Sequence, residues 1–209
     1  MSDGITVRGS GQVARVPDLA RVTVGVETSA VGAGMAQSVA SGRMRSVIAA
    51  LVGAGVAERD IATARISLEP AYDYSGPTPR MTGYAAQQSL SVRVRALDSL
   101  GTIIDAAIGA GATVVHEVSL EVAEPGAALA EARDLAMADA RAKAEALARA
   151  AGVSLGRALS ITDGPRSVGG GERPMFRMAA MAATAPPTPI AAGTTELSAE
   201  VEVTFAILG

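Results

Sequence analysis

The chain has 209 residues, of which 49% are hydrophobic and 2% aromatic, and a formal net charge of −3. A chain of this length buries about 70% of the surface its unfolded form exposes, so it needs no metal or disulfide to hold a core. It contains no cysteine, which excludes disulfides, thiolate metal sites and thiol catalysis; the mildly acidic balance argues against a nucleic-acid phosphate backbone as partner.

With two Phe, three Tyr and no Trp, the core must be built from Ala, Val, Leu and Ile, which demands close backbone approach. No apolar stretch nears the roughly 20 residues of a membrane helix. The opening residues Met1-Ser2-Asp3-Gly4-Ile5 lack the basic-then-apolar pattern of an export leader. The expected location is cytoplasmic for the chain as written, and periplasmic or secreted if a leader has been removed.

In chain order, Ile5-Thr6-Val7-Arg8 alternates, meets Gly9-Ser10-Gly11, and resumes from Gln12 to Val16 before Pro17; this predicts two short strands around a glycine bend. Leu19 to Thr28 alternates again, with Val22, Val24 and Val26 on one face and Arg21, Thr23 and Glu27 on the other. Ser29 is placed to cap a helix in which Met35, Val39, Met44, Val47, Ile48, Leu51 and Val52 recur at helical spacing, ended by Gly53 and Gly55. Ala62, Ala64, Ile66 and Leu68 mark the inward side of a strand, and Thr63, Arg65, Ser67 and Glu69 its outward side. A Pro-rich loop at Ser75 to Pro79 precedes a long strand from Gly83 to Arg95, with Leu90, Val92 and Val94 in phase.

Leu97 to Ala110 predicts a second helix, and Thr113 to Ala123 a strand with Val114, Val118, Leu120 and Val122 in phase. The order strand, helix, strand, strand, helix, strand is the split βαβ pattern of ferredoxin-like units. A long helix follows from Gly126 to Ala151, with Asp139–Lys143 and Glu145–Arg149 as acid-before-base pairs. A strand from Leu155 to Thr162, a low-complexity loop at about 163–193, and a terminal amphipathic strand through Leu197, Ala199, Val201, Val203, Phe205 and Ile207 complete the pattern. The fold class is α+β: a largely antiparallel sheet with helices packed on one face, the βαββαβ-like core extended by a long helix and C-terminal strands, in a single domain over 1–209.

Residues that could carry chemistry are few. The sole histidine, His116, shares the apolar phase of Val118 and Leu120, and one histidine without cysteine cannot build an ordinary zinc site. Gly32-Ala33-Gly34 opens a helix, but the third glycine of a dinucleotide fingerprint falls on Gln37. Glu117 and Glu121, and Glu200 and Glu202, alternate on polar strand faces, the pattern of solvated side chains rather than a desolvated acid/base pair. Met175, Met178 and Met181 beside Phe176 are soft thioethers that suit Cu(I), or an adaptable apolar contact.

The segments GSG at Gly9 to Gly11, PDLA at Pro17 to Ala20, Tyr72-Asp73-Tyr74 before Thr82-Gly83-Tyr84, LDSLGTIIDAAIGAGA from Leu97, and EARDLAMADARAKAEALARAAGVSLG from Glu131 together resemble the SIMPL-domain family over nearly the whole chain. That resemblance implies bacterial periplasmic immunogenic proteins and proteins linked to oxidative-stress defence, some of which form ring- or barrel-shaped homo-oligomers. It brings no catalytic residue and no cofactor. The expected function is therefore a non-enzymatic, self-assembling protein associated with stress defence. The alternatives are a small-ligand or copper-binding module using the Met-rich loop, and a cryptic hydrolase.

Self-association has a candidate surface. Ala62 to Tyr74 and Gly83 to Arg95 form two extended runs around the Pro-rich turn, a long hairpin whose edge another copy could cover. Tyr72, Tyr74 and Tyr84 are the candidate interface residues, each with an apolar face and a hydroxyl.

Overall fold

A computed structural model of the chain describes residues 4–168 and 193–208. They form two compact units, one of residues 4–17, 122–168 and 193–208, the other of 18–121.

The first unit is a three-stranded antiparallel sheet in the order β1-β7-β6, made of β1 (Gly4–Arg15), β6 (Ser154–Val168) and β7 (Thr195–Leu208), with α3 (Gly126–Ala150) packed on it. β1 is one unbroken strand: Gly4 to Arg15 pair residue by residue with Ala206 to Thr195. The expected bend at Gly9-Ser10-Gly11 is absent, and the glycines have another purpose. They alternate with Val7 and Val13 on the face beneath α3. A Cβ on Gly9 would lie 2.0 Å from the Ala136 carbonyl oxygen, and one on Gly11 2.0 Å from that of Ala132. The helix answers with Ala128, Ala132, Ala136, Ala140, Ala144 and Ala148, all buried and each four residues from the next, so one straight row of methyl groups rests on the strand backbone. β7 presents Leu197, Ala199, Val201, Val203 and Phe205 to the same core, as its alternation predicts. β6 continues past Thr162 to Val168, into residues expected to be loop, and its pairing with β7 is interrupted by three register shifts.

The second unit contains β2 (Leu19–Ala30), α1 (Ala33–Gly53), β3 (Ile61–Asp73), β4 (Arg80–Val94), α2 (Leu100–Gly109) and β5 (Val114–Glu121). Its antiparallel sheet has the order β3-β4-β2-β5, the arrangement that the split βαβ pattern predicts. Both helices supply the core on one face: Met44, Val47 and Leu51 of α1 and Leu100, Ile103, Ile104 and Ala107 of α2 meet Val22, Val24, Val26, Leu90, Val92 and Val94.

Three local expectations are corrected. Ser29 lies within β2, and Gly32 stands at the α1 N-cap position with no side-chain cap. Met35 and Val39 are exposed, whereas Ala36 and Ala40 are buried against Ala86 and Tyr84, because a close helix–sheet contact there admits only methyl groups. Val115, not Val114, joins the core with Val118 and Leu120, because β5 bulges where Thr23 pairs with Glu117 and Val24 with Val115. The bulge leaves His116 without a Cα partner and re-aims its side chain.

The glycines separate by what surrounds them. Gly11→Ala forces a methyl group into the α3 backbone and is expected to lower stability by about 1–3 kcal/mol or more in urea unfolding. Gly42→Ala in α1 meets open space and is expected to raise stability by about 0.5–1 kcal/mol.

Candidate functional site

The residues expected to mediate self-association are carried by the β3–β4 hairpin, whose base is fastened by charge. The Asp60 side chain, only 4% exposed, sits at the foot of β3. It accepts from Arg95 Nε at 3.2 Å and Nη2 at 3.1 Å, and pairs with Arg93 at 3.1 Å. The hydrogen bonds from Arg95 hold this carboxyl below its usual range, against the opposing effect of burial.

Above this base β3 runs as an edge strand. Ile61 and Thr63 pair with Val92 and Leu90 on the helix side, but the register then shifts between Thr63 and Arg65. Ala62 thus lies opposite Ser91, off the row it was expected to share with Ile66 and Leu68. Ile66 and Leu68 lie opposite Gln88 and Ala86, both buried on the α1 side. The inward row exists, yet α1 does not reach it: Ile66 is 61% exposed and Leu68 42%. Arg65, Ser67 and Glu69 line the other face beside Glu27 and Gln87, where Gln87 Nε2 donates to Glu27 at 2.7 Å.

At the tip, Tyr72 lies opposite Met81 and Asp73 opposite Arg80. The Ser75 N–H donates to Asp73 Oδ1 at 2.9 Å, closing the turn locally and lowering the Asp73 carboxyl. The Tyr72 and Tyr74 rings stand 6.2 Å apart at 49°, and both are exposed, as is Met81. Tyr84 is not part of this cluster. It packs with Ala30, Ala36, Ala40 and Ala86, while the neighbouring Gly83, at φ 152°, leaves room for the Ala30 carbonyl that a Cβ would strike at 2.4 Å. Of the three candidate tyrosines, the structure brings two together. Ile66, Leu68 and Met81, which complete the apolar surface, were missed because alternation alone assigns Ile66 and Leu68 to a buried row.

The other candidates occupy ordinary surroundings. The Glu121 carboxylate accepts from Arg21 Nε and Nη2 at 2.9 and 3.0 Å and from the Ser119 hydroxyl at 3.1 Å, and is lowered chiefly by Arg21; a general acid requires the opposite shift. Glu202 pairs with Arg8 directly across the β1–β7 ladder at 2.8 Å. His116 is exposed, contrary to its expected apolar phase, and its Nε2 lies over Gly25. Among the described residues, no group of three or more His, Cys, Asp or Glu is placed to hold a metal ion. Met175, Met178 and Met181 lie outside the described residues. A cleft of about 220 Å³ between α1 and β3 is lined by Ser41, Met44, Arg45, Ile48, Ile66 and Gln88, among others, and the buried Gln88 amide donates to Ser41 Oγ at 2.9 Å.

Residues 5–205 match the sequence profile of SIMPL, described as a protein of unknown function (DUF541). The chain belongs to the SIMPL family. It is 35% identical over 213 residues to the 26 kDa periplasmic immunogenic protein of Brucella melitensis biotype 1, covering 97% of this chain and 84% of that one. It is 34% identical over 132 residues to the uncharacterized protein YggE of Escherichia coli K12, covering 63% of this chain and 54% of YggE. The match to the YggE of Edwardsiella ictaluri is 31% over 133 residues, 63% of this chain and 56% of that protein. The aligned stretch thus spans about half the length of the YggE relatives. No helix among the described residues is long and apolar enough to cross a membrane.

The Asp60 anchor has a pH signature. A carboxyl lowered in the folded state contributes stability that is fully present above its unfolded value of about 3.9 and is lost as pH falls through the folded one. Stability in urea is expected to drop on acidification below about pH 4. Asp60→Asn should be less stable at neutral pH and show a shallower acid slope, the remainder coming from the other lowered carboxyls, Asp73, Glu121 and Asp139.

Proposed function

We propose that the chain is a self-assembling, non-catalytic member of the SIMPL family, and that its copies meet through the apolar side of the β3–β4 arm. The observation that carries this reading is the row Ile66, Leu68, Tyr72, Tyr74 and Met81, exposed along one hairpin. Sheet faces of this composition are normally covered. Tyrosine and methionine are enriched at protein contacts, where an apolar body and an adaptable thioether bury area at small entropic cost. The Asp60 anchor stiffens the base of the arm, which favours binding by reducing the order lost on contact. An isologous contact would give a dimer; a heterologous one that closes would give a ring.

The absence of a catalytic role is part of the proposal, supported by the ion pairing of Glu121 and Glu202 and the solvent-facing position of His116. The association with stress defence rests on the family resemblance and is independent of the arm. A periplasmic setting, which the Brucella protein's name states for that protein, is compatible with a chain that has no thiol to oxidise.

Light scattering across a concentration series is expected to give a mass above the monomer for the native chain. Ile66→Asp combined with Tyr72→Ala should weaken association by about 30-fold or more, as for loss of a central contact residue, with circular dichroism unchanged. Tyr84→Ala should reduce stability instead, since Tyr84 packs within the unit. A native chain that stays monomeric at millimolar concentration defeats the reading.

A further inference from the structure

We propose that the Asp139–Lys143 pair of α3 is a lock on the free edge of β1, keeping a second copy of the chain from adding a strand there. Among the described residues β1 lies at one edge of its sheet. Its 12 residues pair with β7 without a register shift, and none is proline. A long regular edge of this kind is a template for strand addition. The opposite edge, β6, is blunted by three register shifts and Pro165, but β1 cannot be protected in that way. A bulge at its centre would reverse the phase of one half of the strand, turning either Val7 and Gly9 or Gly11 and Val13 out of the row beneath α3 and driving side chains into the helix backbone. Protection must come from outside the strand.

The helix supplies it. The Ser10 N–H donates to Asp139 Oδ2 at 2.8 Å. Lys143 Nζ donates to the Arg8 carbonyl at 3.1 Å and to Asp139 Oδ2 at 2.7 Å. One donor and one acceptor at the middle of the β1 edge are therefore occupied by side chains one helical turn apart. Close approach at Gly9 and Gly11 makes this reach possible. Lys143 is also the chain's only lysine among 18 basic residues. A compact ammonium with three donors can satisfy a carbonyl and a carboxylate together, whereas a guanidinium presents its donors in a planar fork. The pair thus does more than support the helix from i to i+4.

The excluded partner is a second copy because β1 is self-complementary: two such strands, antiparallel about their centres, would extend the sheet with apolar and polar faces matched, an isologous contact. This lock concerns an edge separate from the β3–β4 arm, so the experiment begins in the Ile66→Asp, Tyr72→Ala background, where arm-mediated association is removed. Into it are introduced Asp139→Ala and Lys143→Ala. Amide hydrogen exchange is followed residue by residue at low concentration, and mass is measured by light scattering as concentration rises.

The Ser10 amide is expected to exchange about tenfold faster or more once its acceptor is gone, while the Val7 and Val13 amides keep their rates. Mass should climb toward the dimer, and adding Ser10→Pro, which removes the outward N–H, should return it to the monomer. An unchanged Ser10 rate, or a folded double variant that remains monomeric at millimolar concentration, overturns the lock. If the double variant does not fold, Lys143→Ala alone carries the test: it frees only the Arg8 carbonyl, and a mass equal to that of the background protein counts against the proposal. If the background protein itself remains associated, the arm reading has failed, and the Ser10 rate decides the lock by itself.

Discussion

Every fourth residue of α3 from Ala128 to Ala148 is alanine, and the two strand residues beneath the centre of that row, Gly9 and Gly11, have no side chain at all. Each element exists for the other. A larger residue on either side would lift the helix, open the core around Val201, Val203 and Phe205, and carry Asp139 and Lys143 out of reach of β1. The same solution recurs on a smaller scale in the second unit, where Ala36 and Ala40 let α1 settle on Ala86. A chain with five aromatic residues gains its burial through many short contacts at small separations, and such contacts tolerate little change in volume.

Close packing also explains where the surface is polar and where it is not. On the outer face of the first sheet, Thr6 meets Thr204 and Arg8 meets Glu202 across the ladder, pairs that suit a solvated face. In the second unit α1 and α2 cover β2, β4, β5 and the foot of β3 at Ile61, and β3 beyond Thr63 is left largely exposed. The apolar row of β3 is therefore a consequence of two helices laid over a four-stranded sheet with one long arm. The SIMPL family, whose activity is not known, here presents an architecture in which one hairpin carries a row of accessible apolar side chains and Asp60, Glu121, Asp139 and Glu202 are held as ion pairs.

The two long edges are treated differently, which gives the assembly reading its direction. β1 has its central backbone groups occupied by α3. β3 has Pro70 and two register shifts, which weaken backbone pairing, but it keeps exposed Ile66, Leu68 and Tyr72. The groups that β3 leaves exposed are apolar side chains, whereas the Ser10 N–H and the Arg8 carbonyl at the centre of β1 are already hydrogen-bonded.

Periodicity by itself determined the element types, the split βαβ order, the length of α3 and the inward rows of β2, β4 and β7, because each depends on the spacing of residues along one element. The segment pattern was also enough to identify the family. Tertiary structure decided the rest. Glycines that read as a bend proved to be a seat for a helix, since nothing in the sequence of β1 states what will lie above it. A single extra residue in β5 moved His116 to the outer face, and another in β3 removed Ala62 from the row of Ile66; a bulge reverses the phase of everything beyond it and leaves no mark in local composition. Whether Ile66 and Leu68 are core or surface depended on how far α1 extends across the sheet, and Asp139 and Lys143 became a cover for β1 only when two segments some 130 residues apart were brought together.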